Sequence, residues 1–238
     1  MDAGLLAPFL DAHPGRVLVA TAAPAEGRAV LRALGADPGL AERPWSLHRA
    51  SRCLDVVATG IGKSNAAGAV ARVLDPACHR AVISTGVGGA LPGSRLALGA
   101  VVLAPRSVFA DEGLASPEGF VDCAALGFPL GPPGLIEGSC VRADASLIDA
   151  LRPLADTEAD IATVSTCSGT DALARLVRDR TGAAAEAMEG AAVGLVSARL
   201  GVPFVELRVI SNTTGDRAGQ AWDLRGALGV LARLIGRL

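Results

Sequence analysis

Residues 54–67 read Leu-Asp-Val-Val-Ala-Thr-Gly-Ile-Gly-Lys-Ser-Asn-Ala-Ala, and this stretch decides the fold. A short apolar run is followed by two closely spaced glycines and then by small residues, which is typical of a strand that turns sharply into a helix. We therefore predict a strand over 54–59 and a helix over 64–74. The glycine turn between them falls at the carboxyl end of the strand, where α/β proteins bind their ligands.

The same alternation of apolar strands and alanine-rich helices recurs along the chain. Further strands are predicted at 16–22, 81–85, 100–104, 161–164 and 203–210, with a turn at 86–89 and helices at 24–34, 171–180, 189–200 and the C-terminus. Near-continuous apolar strands separated by helices indicate a mainly parallel sheet that is covered on both faces. We predict one α/β/α three-layer domain over residues 1–238, with a mixed, mostly parallel central sheet.

Two segments depart from this alternation. Residues 1–15 precede the first predicted strand, and we expect them to form an N-terminal extension. Residues 105–140 contain repeated glycine and proline, which predicts a loop-rich insertion in the domain. Long loops in compact domains are often functional.

Composition excludes several classes of protein. The chain has 50% hydrophobic and 19% charged residues, which excludes a disordered protein. A net charge of −2 and only 3% aromatic residues argue against a nucleic-acid partner. The cysteines are odd in number and lack metal-ligand spacing, so we predict reduced thiols in the cytoplasm and no metal site. The N-terminus does not resemble a signal peptide, and no apolar run predicts contact with a membrane.

Three charged residues lie at positions that suggest chemistry. Glu26 follows the first predicted strand, close to the carboxyl edge of the sheet. Glu189 opens a helix of small apolar residues, where it binds a ligand or simply favours the helix dipole. Arg208 lies inside an apolar strand and needs a partner, because an unpaired buried charge costs several kcal/mol (about 3–5 when a pair is broken).

Five segments, in their order along the chain, resemble the purine nucleoside phosphorylase and nucleosidase superfamily. They are residues 22–26, 59–67, 85–89, 188–192 and 208–212. Within this superfamily the chain is most similar to the futalosine hydrolase branch. Ser211-Asn212 stands where methylthioadenosine nucleosidases have Ser-Asp, and residues 110–128 and 212–222 resemble the middle and C-terminal regions of that branch.

The resemblance implies a nucleoside-phosphorylase-like fold and a hydrolase that cleaves the N-glycosidic bond of futalosine. Hypoxanthine and dehypoxanthinyl futalosine would be released, as a step of menaquinone biosynthesis. The implied partners are the nucleoside, water and further copies of the chain in a homo-oligomer, with no metal or organic cofactor. Residues 105–140 are where we expect the aromatic-acid tail of the substrate to bind.

The resemblance also assigns roles to residues. Glu26 would activate the attacking water with Arg208 fixing its orientation, and Glu189 would accept hydrogen bonds from the ribose hydroxyls. Asn212 either caps the following turn or offers a donor and an acceptor to the base, which suits hypoxanthine better than adenine. The catalytic residues expected are Glu26, Glu189 and Asn212, and the substrate-binding residues are Met188, Arg208, Val87, Gly88 and Ser211.

Other functions stay open at this point. A phosphorylase needs a phosphate pocket, yet Lys63 is the one lysine, the 85–90 segment contains no arginine, and Arg28 is as compatible with a solvent-facing position. A nucleosidase that releases adenine from methylthioadenosine is a second alternative. A nucleoside-binding protein without catalytic activity is a third. Water is the nucleophile that the sequence favours.

Overall fold

The computed structural model describes residues 4–131 and 133–238. The strands are β1 (Arg16–Thr21), β2 (Leu47–Arg49), β3 (Leu54–Ala58), β4 (His79–Ala90), β5 (Val101–Ala104), β6 (Arg106–Phe109), β7 (Gly113–Ser116), β8 (Gly119–Asp122), β9 (Ile136–Glu137), β10 (Cys140–Arg142), β11 (Thr157–Glu158), β12 (Ile161–Thr163), β13 (Ala185–Ala187) and β14 (Phe204–Thr213). The helices are α1 (Ala7–Ala12), α2 (Pro24–Ala33), α3 (Lys63–Val73), α4 (Ala145–Leu151), α5 (Asp171–Thr181), α6 (Gly190–Arg199) and α7 (Leu224–Ile235).

Strand β4 is the centre of a mixed, 12-stranded sheet. Its first half pairs in parallel with β1, as far as Ser84 opposite Ala20. On the same edge, the second half of β4 pairs antiparallel with β13 at Gly89 and Ala90. On its other side, β4 pairs with β14 along nearly its whole length. One edge of β4 therefore changes partner between Ser84 and Gly89, and the sheet opens at this point.

Helices cover both faces of the sheet. Val17 and Val19 of β1 pack with α2 and α7 on one face, whereas Leu18 and Ala20 pack with α3 and α6 on the other. Side chains alternate between the two faces of a strand, so a strand that is apolar throughout is buried on both sides. The predicted fold class, a three-layer domain around a mixed sheet, is confirmed.

The glycine-rich and loop-rich segments differ most from their predictions. The predicted turn at Gly86–Gly89 is wrong, because β4 continues through it to Ala90. Likewise β14 continues to Thr213, past the end predicted at residue 210. Within residues 105–140, β6 joins the main sheet between β12 and β10, and β7 and β8 form a separate hairpin. Hydrogen bonds to distant strands override the local preference of glycine for turns.

Residues 1–3 of the predicted N-terminal extension lie outside the described residues. The remainder of this segment forms α1, which contacts α4. Leu6 and Phe9 of this segment are buried in the core beside α2 and α7. None of the helices in residues 4–131 and 133–238 has the length and apolar character needed to cross a membrane.

A close contact at the start of α6 explains one glycine. Gly190 lies directly against the carboxyl group of Glu206 in β14, and a Cβ at residue 190 would overlap it. Glu206 is fully buried and is held by hydrogen bonds from Ser107 at 2.5 Å and Arg208 at 2.9 Å, so it cannot move aside freely. The first residue of α6 must therefore lack a side chain.

We expect Gly190→Ala to lower the free energy of unfolding by about 1–3 kcal/mol, the usual cost of overpacking. Gly229→Ala is the matched control. Gly229 lies within α7, and its Cβ would meet no atom nearer than 3.7 Å. In that position alanine stabilises a helix by about 0.5–1 kcal/mol relative to glycine. Urea denaturation of both variants measures the difference, and equal stabilities would contradict the steric argument.

Candidate active site

A cavity of about 510 Å³ lies where β4 changes partner. Seven of the eight predicted site residues line it, namely Glu26, Val87, Gly88, Met188, Glu189, Ser211 and Asn212. These residues come from α2, β4, β14 and the segment that joins β13 to α6. A second cavity, of about 620 Å³, lies between the β7–β8 hairpin and α5; it contains none of these eight residues, and most of its lining belongs to the segment 105–140. The chemistry is therefore concentrated in the first cavity.

Backbone donors hold Glu26 at the edge of this cavity. Its Oε2 accepts hydrogen bonds from the N–H groups of Ala22 and Ala23 at 3.0 and 2.9 Å, and its Oε1 accepts from Val87 at 2.8 Å. The Val87 N–H is free to donate because none of the described strands pairs with this edge of β4 between Ser84 and Gly89. Glu26 thus occupies the gap that the change of partner leaves.

Burial raises the pKa of the Glu26 carboxyl group above its ordinary value. The nearby Arg208 guanidinium and the Val87 N–H lower the pKa of this group, and the charge of Glu189 raises it further. Burial is the largest of these effects because Glu26 is only 4% exposed. A carboxylate with a raised pKa is a stronger base, which suits proton abstraction from water.

Glu189 is fixed from two sides. Its Oε1 accepts a hydrogen bond from the Gly62 N–H at 3.0 Å, and its Oε2 lies 3.4 Å from the Arg208 guanidinium. Gly62 has φ of +93°, a conformation that favours glycine. The glycine turn between β3 and α3 therefore serves the site by presenting an N–H group to Glu189.

Arg208, the eighth predicted residue, is not among those that line the cavity and lies beneath it. The side chain is 1% exposed, because it projects from the central strand β14 into the interior. It donates to Glu206 at 2.9 Å and to Ser84 at 3.1 Å, in addition to its contact with Glu189. Within the described part of the chain, its ion pairs are with Glu189 and Glu206 and not with Glu26.

Arg208 still acts on Glu26 through space. Both groups lie close to Gly86. If this residue carried a Cβ, that atom would lie 2.8 Å from the Arg208 Nη1 and 2.7 Å from the Glu26 carboxyl carbon. Gly86 therefore lets the two groups approach each other across β4. The charge of Arg208 lowers the pKa of Glu26, but the orientation of this carboxylate comes from the backbone donors.

Asn212 lies near the end of β14, at the opposite side of the cavity. The Ser211 hydroxyl donates to the Asn212 Oδ1 at 2.9 Å, and the Asn212 Nδ2 donates to the Thr213 carbonyl at 3.0 Å. These bonds fix the amide plane and leave the second Nδ2–H free for a ligand. Asn212 lies within β14, one residue before the strand ends.

The cavity also contains residues to which the sequence assigned no role. Glu186 of β13 and Ser168 form part of the wall beside Asn212. Arg217 stacks on the Trp222 ring at 4.4 Å and donates to Gln220 at 3.1 Å, which closes another side. A charged residue within an alanine-rich stretch was the signal for Glu186. The contacts of Arg217 and Trp222 depend on the path of the loop between β14 and α7, which no local sequence pattern predicts.

No group of three or more His, Cys, Asp and Glu residues that could hold a metal ion occurs in residues 4–131 and 133–238. The arrangement instead places Glu26, whose pKa is raised, and the ion-paired Glu189 on the same cavity, with the Asn212 amide opposite. This combination suits general-base attack of water on a substrate that develops positive charge.

Comparison with known proteins agrees with this geometry. The family model of the phosphorylase superfamily matches residues 52–235. The chain is 38% identical over 229 residues to the futalosine hydrolase of Streptomyces coelicolor, covering 93% of this chain and 94% of that protein. It is 31% identical over 175 residues to the 5′-methylthioadenosine/S-adenosylhomocysteine nucleosidase of Geobacillus kaustophilus, covering 69% of each.

Solved structures show the same fold. The native futalosine hydrolase of Helicobacter pylori superimposes with a TM-score of 0.71 at 19% identity and covers 93% of this chain and 95% of that one. The methylthioadenosine/S-adenosylhomocysteine nucleosidase of Neisseria meningitidis gives a TM-score of 0.70 at 22% identity, covering 93% and 97%. The chain belongs to the phosphorylase superfamily, in which it is related to the futalosine hydrolases and is an N-glycosyl hydrolase.

Proposed function

We propose that this chain hydrolyses the N-glycosidic bond of futalosine and releases hypoxanthine and dehypoxanthinyl futalosine, as a step of menaquinone biosynthesis. The observation that carries the proposal is the convergence of Glu26, Glu189 and Asn212 on one cavity. The relatives named futalosine hydrolase, which match nearly the whole chain, support the choice of substrate.

Glu26 acts as the general base in this proposal. It removes a proton from a water molecule, whose oxygen then forms a bond to the anomeric carbon of the ribose. The bond from that carbon to N9 of the purine breaks, and its electron pair goes to the departing base. The three N–H groups that hold Glu26 keep the carboxylate aimed at the water during this step.

Glu189 stabilises the sugar as positive charge develops on it. Its carboxylate accepts hydrogen bonds from the ribose hydroxyls, and its negative charge favours the oxocarbenium ion. Gly62 and Arg208 hold it in place before the substrate arrives, so little reorganisation is needed. Met188, which also lines the cavity, packs against the sugar.

Asn212 binds the purine as it leaves. Its free Nδ2–H donates to O6 of hypoxanthine, and its Oδ1 accepts from N7 once the departing base has taken up a proton from water there. Glu26 returns to water the proton that it removed, so the net reaction consumes one water molecule. The neutral amide offers both functions at once, whereas an ionised aspartate at this position would only accept.

The surroundings of the basic residues favour water over phosphate as the nucleophile. Lys63, beside the glycine turn, forms ion pairs with Asp111 and with Glu112, the latter at 3.2 Å. Arg28 forms an ion pair with Glu42 at the surface. Both cations are therefore already neutralised by carboxylates and are poorly placed to bind a phosphate ion.

The cytoplasm and a homo-oligomer are further parts of the proposal. All five cysteines are free, which suits a reducing compartment. Phe128, in the segment after the β7–β8 hairpin, is 74% exposed, and Leu114 on the hairpin is 50% exposed. Apolar side chains exposed in this way are compatible with contact between copies of the chain.

Incubation of the purified protein with futalosine in phosphate-free buffer is expected to release hypoxanthine, which chromatography measures. The proposal predicts that added phosphate leaves the rate unchanged and that methylthioadenosine is cleaved far more slowly. Release that requires phosphate would identify a phosphorylase. Preferred cleavage of methylthioadenosine would identify an adenine-releasing nucleosidase, and tight binding without turnover would identify a binding protein.

Glu26→Gln and Glu189→Gln are each expected to lower kcat by about 10²-fold or more, the scale of general acid–base catalysis. Glutamine keeps the size of the side chain but removes the base in the first case and the negative charge in the second. Glu158→Gln is the control, because Glu158 lies on the edge strand β11 and pairs with Arg152 outside the cavity. Turnover close to that of the parent would remove either residue from its role.

The raised pKa of Glu26 predicts the acid side of the pH profile. Because the base must be deprotonated, kcat/KM should fall as pH drops through this raised pKa, at a pH above the ordinary glutamate value of about 4.3. In Glu26→Gln, the small residual activity should lose this acid limb. An acid limb that remains in the variant would assign the titration to another group.

A further inference from the structure

Glu186 and Asn212 lie in one row across the sheet, with Gly89 between them. Glu186 of β13 is the register partner of Gly89 on one side of β4, and Asn212 of β14 is its partner on the other side. Side chains of register partners on neighbouring strands point to the same face. The row therefore directs a carboxylate and an amide into the same region of the cavity.

Gly89 places no side chain of its own between Glu186 and Asn212, and the Thr214 methyl group lies close to the position that a Cβ would take. A Cβ on Gly89 would lie 3.0 Å from the Asn212 Nδ2 and 3.6 Å from the Glu186 Cγ. The amide nitrogen of Asn212, and not its oxygen, thus lies on the side that faces Glu186. The cavity presents a donor and an acceptor next to each other.

The proposed hydrolysis does not use the Glu186 carboxylate, which is buried with a residue exposure of 5%. It accepts hydrogen bonds from the Ser168 N–H at 2.8 Å and from the Ser168 hydroxyl at 2.5 Å. A carboxylate has about four acceptor positions, so about two remain for a ligand. None of the ion pairs formed by residues 4–131 and 133–238 includes Glu186, so no cation compensates its burial. A buried carboxylate that has free acceptor positions and no ion-pair partner is stabilised when a ligand in the cavity donates an N–H to it.

We propose that Glu186 accepts the N1–H of the purine and, together with Asn212, selects a 6-oxopurine over a 6-aminopurine. This inference rests on the proposed function, because it concerns the base of the same substrate. Hypoxanthine presents an acceptor at O6 and a donor at N1, which match the donor of Asn212 and the acceptor of Glu186. Adenine presents a donor and an acceptor in the reverse order, so its N1 lone pair would face the carboxylate.

The position of Glu186 along the chain fits this role. Met188 and Glu189, which the proposed mechanism places at the ribose, follow Glu186 by two and three residues. Residues two apart in an extended segment are separated by about 6–7 Å on the same face. Glu186 and Met188 can therefore contact the base and the ribose at the same time, and Glu189 lines the same cavity.

Glu186→Gln tests the inference directly, because the amide can donate to N1 of adenine. We expect the variant to bind hypoxanthine about tenfold more weakly or worse, the scale of a hydrogen bond to a charged group. The preference for hypoxanthine over adenine should shrink by a larger factor. Isothermal titration calorimetry with the free bases measures both, and Glu158→Gln again serves as the isosteric control. An unchanged preference in Glu186→Gln would overturn the inference.

The parent protein supplies a second test that does not depend on a variant. 1-Methylhypoxanthine keeps O6 but lacks the N1–H, so it should bind at least about tenfold more weakly than hypoxanthine. Equal affinity for the two bases would overturn the inference even if Glu186→Gln failed to fold. Since these measurements concern binding of the base, they stay separate from the futalosine assay. Futalosine cleavage with equal affinity would reject the role of Glu186 alone, whereas the expected affinities without cleavage would reject the proposed reaction alone.

Discussion

The buried guanidinium of Arg208 is the interaction on which the site depends. It projects from the central strand β14, and within the described residues it forms ion pairs with Glu206 and Glu189 at 2.9 and 3.4 Å. Breaking a buried ion pair of this kind leaves an uncompensated charge and costs about 3–5 kcal/mol. The fold must therefore keep Glu206 beneath Arg208 and Glu189 beside it. The position of one catalytic carboxylate is in this way tied to the stability of the core.

The change of partner along β4 is the second constraint, and it explains why the site lies where it does. Backbone N–H groups that lose a strand partner inside a protein need another acceptor. At Val87 this acceptor is Glu26, delivered by the first turn of α2, so the same gap that opens the cavity also positions the base. Gly86 and Gly89 carry no side chains at two positions of this segment, which lets Glu26 and Arg208 approach at the first and Glu186 and Asn212 at the second.

The sequence was sufficient to predict the layers of the fold and much of the site. Strands apolar at every position require cover on both faces, and the carboxyl ends of parallel strands bring Glu26 and Asn212 near one another. It failed where long-range pairing decides the structure. Gly86–Gly89 has the composition of a turn, yet bonds to β14 and β13 extend it as strand. Glu206 was not recognised as the partner of Arg208, although the two are separated by a single residue and so project to one face. Gly190 was not recognised as the space for that carboxyl group, because this contact joins two distant elements.

The balance of charge around the cavity connects these features to the choice of nucleophile. Glu26, Glu186 and Glu189 line the cavity together with one cation, Arg217, while Arg208 lies beneath it and already pairs with Glu206. The reacting region therefore carries more negative than positive charge at its walls. The negative electrostatic potential of these walls stabilises the positive charge that develops on the sugar. The same potential repels a phosphate anion. A neutral nucleophile that loses its proton to one of these carboxylates is then the co-substrate best matched to the site. Water meets this requirement, and the high density of carboxylates that makes phosphate a poor ligand is the same feature that stabilises the departing sugar cation.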